Sequence, residues 1–247
     1  MDGIKEVHDS LRLDSKGMGT YSKVLNAIKL FDKYHVEYNI LCVVNNFVAR
    51  HPQKVYENLK KYKYIQFIPC LNDFDCNPTK FSLTPERYTE FLNTTFKLYY
   101  NDFMSGNYVS VRNFDNYINM LAGKEPENCA MRGFCTCYFV IEADGSVYPC
   151  DFYVLDEWKL GDIHENSFSE LKKNNLAYKF VQMSKFVDSE CNNCKFYQLC
   201  RSGCRRERNI LPDNTIGNNI FCESYKIFFE QNYQLMLEMV QKLIFMH

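Results

Sequence analysis

The chain is expected to be an α/β protein whose second half is organised around thiols. Three observations carry this expectation. Between Thr20 and Pro69, stretches with helical periodicity alternate with short apolar runs, the pattern of right-handed β/α crossovers. Asp144-Gly145 separates two short runs of alternating apolar residues, a strong hairpin signal. Eight of the twelve cysteines form an ordered series from Cys129 to Cys222, with four of them inside Cys191–Cys204.

Taken in order, Met1 to Gly19 opens with turn chemistry at Asp2-Gly3, with no strand or helix before it. Thr20 is a candidate cap for a helix reaching Lys33, with Val24, Ile28 and Phe31 on one face. Glu37 to Val44 is nearly continuous in apolar residues, which predicts a strand buried on both faces of a parallel sheet. A helix over about Pro52–Lys61 and a strand near Tyr64–Pro69 follow, too few strands to close a barrel. Cys70 to Ser82 reads as loop. Thr84-Pro85-Glu86 starts a long amphipathic helix to about Met104, with proline at its first position. Val109–Val111 predicts a short strand and Phe114–Leu121 a helix. The domain boundary is placed near Gly106–Asn107, giving units 1–106 and 107–247. Beyond it come the hairpin, helices near Ser167 and Tyr178, the dense thiol stretch, and a final helix over Glu223–Phe245.

Composition excludes several classes. Basic and acidic residues nearly balance, 29 against 30, so no basic field points to nucleic acid. No apolar stretch is long enough to span a bilayer and the N-terminus lacks a secretory apolar core. A cytoplasmic setting is therefore expected, where thiols stay reduced and point to metal rather than disulfides.

The dense stretch reads C-x2-C-x5-C-x3-C over Cys191, Cys194, Cys200 and Cys204. Thiolates are soft ligands that suit iron–sulfur clusters and zinc. With Cys129, Cys135, Cys150 and Cys222, eight ligands suffice for two four-thiolate sites. Abundant cysteine with almost no nearby histidine favours clusters, and two tetrahedral zincs remain the alternative. Cys42, Cys70, Cys76 and Cys137 are assigned to structural roles, with Cys137 the most plausible spare ligand.

The pattern C-x9-G-x4-C over Cys135, Gly145 and Cys150, then the dense stretch, then Cys222, resembles the SPASM domain of radical S-adenosylmethionine (SAM) enzymes. The stretches Asp144–Tyr153, Gly203–Arg206, His8-Asp9, Gly19–Tyr21 and Asn39–Val44 are similar to those of the anaerobic sulfatase-maturating enzymes. That resemblance implies the C-terminal part of a partial (β/α)6 radical SAM barrel followed by a SPASM auxiliary iron–sulfur domain. It also implies that Cys129, Cys135, Cys150 and Cys204 hold one auxiliary [4Fe–4S] cluster, and Cys191, Cys194, Cys200 and Cys222 a second. Asp151 matches the family's catalytic base, and Asp2 and Arg12 fall in the vicinity of SAM. Phe152 and Tyr153 could line a peptide cleft, although such residues are more often core.

The implied activity is oxidation of a sulfatase Cys or Ser to formylglycine by SAM-derived radical chemistry. The implied partners are a sulfatase polypeptide and an electron donor such as flavodoxin or ferredoxin, with neither nucleic acid nor membrane. SAM and a third [4Fe–4S] cluster belong to the full-length enzyme, because the family's C-x3-C-x2-C motif does not occur in these residues. The chain therefore resembles the C-terminal portion of such an enzyme and is expected not to generate the radical alone. Two alternatives are another radical SAM/SPASM peptide-modifying enzyme and a non-catalytic iron–sulfur or zinc module.

Overall fold

A computed structural model of the protein describes residues 1–74, 77–211 and 215–245; Cys76 lies outside them. The chain forms two compact units, Met1–Lys124 with Glu223–His247, and Glu125–Cys222.

The first unit contains α1 (Lys5–Leu11), α2 (Tyr21–Lys33), β1 (Ile40–Val44), α3 (Pro52–Leu59), β2 (Tyr64–Pro69), α4 (Pro85–Met104), β3 (Ser110–Val111) and α5 (Arg112–Leu121). Its three strands form a parallel sheet in the order β1-β2-β3, with Cys42 opposite Phe67 and Ile65 opposite Val111. Each crossover between parallel strands carries a helix, as parallel pairing requires. Thr84 caps α4 by accepting from the Arg87 N–H, and Pro85 occupies the first turn, where its missing donor costs nothing. Along α4, Tyr88, Phe91, Leu92, Thr95, Phe96, Tyr99 and Phe103 repeat at helical spacing and are buried.

These residues meet the sheet and α5 through aromatic edges. Phe67 packs on Phe91 with centroids 5.0 Å apart, and Phe96 on Phe114 at 5.1 Å. Pairs of this kind contribute about 0.5–1.5 kcal/mol each beyond burial. Helices α4 and α5 thus cover one face of the sheet, which decides the burial of β1. Ile40, Cys42 and Val44 are buried while Leu41 is 46% exposed. The two-sided burial expected from the apolar run is corrected accordingly. The expected cap at Thr20 is also corrected, since its hydroxyl donates to Arg12 O and Asp9 Oδ1 accepts from the Tyr21 N–H at 2.7 Å. Phe31, expected on the apolar face of α2, is 40% exposed.

The second unit contains β4 (Val140–Ile141), β5 (Ser146–Tyr148), β6 (Gly161–Asp162), α6 (Phe168–Lys173), α7 (Asn175–Ser184), α8 (Ser189–Asn192), α9 (Tyr197–Cys200), β7 (Arg208–Ile210) and β8 (Ile216–Asn219). Strands β4-β5-β6 form an antiparallel sheet and β7-β8 an antiparallel pair. The Asp-Gly turn falls between β4 and β5, as expected. Gly145 has φ +89°, and a Cβ there would lie 2.7 Å from His164 Cδ2; only glycine satisfies both demands. Helix α10 (Cys222–Phe245) then returns the chain to the first unit, where Phe228 stacks on Phe114 at 5.8 Å. The boundary expected at Gly106–Asn107 falls inside that unit, because β3 pairs with β2 and α5 follows it directly.

Candidate metal centre

All the described cysteines are free thiols. Those of the second unit sit in loops or at or near the ends of elements. Cys129 opens a short 3-10 turn that Asn128 caps, accepting from Ala130 N at 3.1 Å. Cys150 and Cys204 each immediately precede a 3-10 turn. Cys191 lies in α8, which Asp188 caps, Cys200 closes α9, and Cys222 opens α10. Element ends leave amide donors unpaired within the helix, free to meet other acceptors.

These thiols gather into two groups. Cys204 is within electrostatic reach of Cys135 and Cys150, and Cys135 of Cys129. Cys200 is within reach of Cys222 and Cys191. Cys194 stays beside Cys191 through the backbone, its N–H donating to Cys191 O at 3.2 Å. Among the described residues no interaction links the Cys194 thiol itself to either group.

Cys200 and Cys204 join different groups although only three residues separate them. Those residues, Arg201, Ser202 and Gly203, all have positive φ, at 47°, 66° and 70°. A run in the left-handed region reverses the chain within a few bonds, and it is costly for residues other than glycine. At Gly203 a Cβ would lie 2.3 Å from Asn219 Nδ2, so the turn needs glycine there.

Main-chain amides point at the sulfurs. Cys135 accepts from Arg205 N–H, Cys150 from Phe152 N–H, Cys200 from Ser202 N–H, and Cys204 from Arg206 N–H at 3.4 Å. Amide hydrogen bonds to sulfur stabilise thiolate and are a principal control on cluster potentials. Burial acts the other way on the protonated thiols, pushing Cys150 up to about 11 and Cys200 up to about 12. Metal ligation removes that proton outright. An all-sulfur donor set, partly desolvated and met by main-chain amides at four of its sulfurs, fits iron–sulfur clusters. No three Cys, His, Asp or Glu side chains among the described residues are drawn closely enough together to hold a single metal ion.

Cys137 is placed apart from both groups in its contacts. Its thiol donates to Ala177 O at 3.6 Å, and it packs on a core of Val147, Leu160, Leu171 and Ala177. Cys137→Ala is expected to leave the iron content unchanged and to lower stability by about 1 kcal/mol, read by iron analysis and thermal unfolding. Cys42 is fully buried within β1, as its structural assignment requires.

Asp151 is solvent-exposed beside Cys150, whose thiol lies 3.3 Å from Asp151 Oδ1. That oxygen also accepts from the Tyr138 hydroxyl and, at 3.1 Å, from Phe152 N–H. Tyr138 OH lies 3.2 Å from Cys150 Sγ and accepts from Asp151 N–H at 3.1 Å. Tyr138 was not among the residues singled out in the sequence. Its signal is positional: it opens the hairpin run that ends on Cys150-Asp151, so antiparallel pairing returns it to them. Tyr153 is buried against Trp158 and Phe180, whereas Phe152 is 40% exposed; of the two, only Phe152 faces solvent.

In the first unit, Asp2 is 3% exposed. Its Oδ1 accepts from Val43 N–H at 3.0 Å and its Oδ2 from Arg12 Nε at 2.7 Å. Asp2 thus fastens the edge of β1 to the segment after α1. His8 supports the same corner, its Nδ1 accepting from Asp2 N–H at 3.1 Å, and burial depresses its pKa.

Residues 129–195 match the SPASM family, described as an iron-sulfur cluster-binding domain. A protein built from this domain and a parallel α/β unit falls in the radical SAM/SPASM class. The cysteine-type anaerobic sulfatase-maturating enzyme of Clostridium novyi (strain NT) is 49% identical over 94% of this chain. That of Clostridium perfringens (strain 13 / Type A) is 47% identical over 93%. The solved structure of native anSMEcpe with bound AdoMet and Cp18Cys peptide superposes with a TM-score of 0.94 at 44% identity, covering 98% of this chain and 68% of that one. The chain belongs to the anaerobic sulfatase-maturating enzymes. It spans 63% of the length of the two clostridial enzymes. Among the described residues no helix is long and apolar enough to cross a membrane.

Proposed function

We propose that these residues supply the auxiliary-cluster half of a cysteine-type sulfatase maturase. The observation that carries this is the gathering of Cys129, Cys135, Cys150 and Cys204 apart from Cys191, Cys200 and Cys222, the first group running directly into Asp151. Cys129, Cys135, Cys150 and Cys204 hold one [4Fe–4S] cluster; Cys191, Cys194, Cys200 and Cys222 hold the other. When bound, SAM and the clusters supply the radical and the electron acceptor for oxidising a substrate cysteine to formylglycine.

The chain's own part is positioning and proton transfer. Asp151 accepts the proton of the substrate thiol at an exposed carboxylate. Tyr138 and the Phe152 N–H hold that carboxylate against Cys150, which would place the base beside the cluster that Cys150 would help to hold. Asp2, bonded to the edge of β1, and Arg12, paired with it, would take part in holding SAM in the full-length enzyme. A ferredoxin- or flavodoxin-type donor supplies electrons.

Removing the Tyr138 hydroxyl frees Asp151 to rotate away. Tyr138→Phe is expected to lower turnover about tenfold, the loss of roughly one hydrogen bond to a charged group, with the iron content unchanged. The function itself is tested by mass spectrometry of a cysteine-containing sulfatase peptide incubated with the full-length enzyme, SAM and reductant. The product expected is formylglycine; an unmodified peptide, with SAM consumed, overturns the assignment. The 247 residues alone should not cleave SAM, because they carry no C-x3-C-x2-C motif.

A further inference from the structure

Arg208, at the start of β7, is 6% exposed. Its guanidinium donates to three backbone carbonyls: Nε to Ser202 O at 3.1 Å, and Nη1 to Ser184 O at 3.1 Å and Phe186 O at 2.8 Å. Two of these acceptors belong to serines that touch different thiol groups. Ser184 Oγ accepts from Cys135 N–H at 2.8 Å. Ser202 Oγ donates to Cys191 Sγ at 3.6 Å. One guanidinium therefore fixes a neighbour of each group, and its charge is within reach of Cys135, Cys191 and Cys200.

Carbonyls satisfy the donors of this cation but do not neutralise it. No carboxylate forms an ion pair with it among the described residues. The carboxylate of Glu207, the neighbouring acid, accepts from Asn219 Nδ2 at 2.9 Å and forms no ion pair with Arg208. An isolated charge in such a site is expensive, and a compensating anion is what normally keeps it there. Besides Glu207, the groups in reach that become anionic on ligating metal are Cys135 of one site and Cys191 and Cys200 of the other. We infer that Arg208 is the shared counter-charge of both thiolate sites and holds both clusters' reduction potentials up together.

The inference rests on the cluster reading above. Its physical basis is that reduction adds negative charge to a cluster, so a nearby buried cation favours the reduced form. A cation seated between two sites acts on both, whereas a purely structural residue moves neither potential.

The test uses the full-length protein, anaerobically reconstituted, as wild type, Arg208→Gln and Arg208→Lys. Iron is counted first, then both auxiliary clusters are titrated by electron paramagnetic resonance. A wild type that binds no iron refutes the cluster reading itself. Given a loaded wild type, Arg208→Gln is expected to lower both midpoints, each by about tenfold in the reduction equilibrium, about 59 mV for a one-electron couple. Arg208→Lys should recover at least half of that shift. Unchanged midpoints, or a shift at one cluster alone, overturn the inference. Should Arg208→Gln lose iron, retention in Arg208→Lys supports the role of charge, and equal loss in both overturns it.

Discussion

Asp151→Asn is expected to lower formylglycine formation by about 10²–10⁴-fold, the usual contribution of a positioned base, while leaving the iron content unchanged. Asparagine keeps the size of the side chain and can still accept from Tyr138 OH and Phe152 N–H through its amide oxygen. What it loses is basicity. The comparison therefore separates proton removal from the support of Cys150, which the same oxygen touches at 3.3 Å. The readout is single-turnover product formation alongside iron analysis. Wild-type turnover would assign the proton to another group; lost iron would make Asp151 a prop for its cluster rather than a base.

The second large effect is expected at the turn that parts Cys200 from Cys204. Cys204→Ala should empty the site beside Asp151, and Cys194→Ala the other, each removing about four irons per chain. Turnover should collapse in Cys204→Ala, which removes a ligand of the cluster proposed beside Asp151. The two variants are told apart by which cluster signal vanishes from the paramagnetic resonance spectrum. If either variant lost the signal assigned to the other, the division of thiols between Cys200 and Cys204 would be wrong. Three successive residues with positive φ, Arg201, Ser202 and Gly203, are the structural cause of that division. They turn a stretch that reads as one compact site into a clasp between two.

Much of this was legible in the sequence because it is local. The Asp144-Gly145 turn, Pro85 at the first turn of α4 and the cysteine spacing each depend on neighbours within a few residues. Leu41 was misjudged because apolar runs report hydrophobicity, not how many faces of a sheet find a partner. Thr20 failed as a cap for a similar reason: Asp9, eleven residues earlier and brought in by the packing of α1 on α2, reaches the amide first. Tyr138 and Arg208 were missed outright. An arginine in the run Arg205–Arg208 resembles any solvated basic cluster until folding buries it among carbonyls. The available hint was electrostatic, since those cations follow directly on thiols that become anionic when they ligate metal.

Iron and sulfide analysis with an electronic spectrum, after anaerobic reconstitution of these 247 residues, decides whether they carry two all-thiolate iron–sulfur clusters. The expected result is about eight irons and eight sulfides per chain, with the broad brown absorption of thiolate-bound clusters. A colourless protein holding zinc, or one holding no metal after reconstitution, would contradict it.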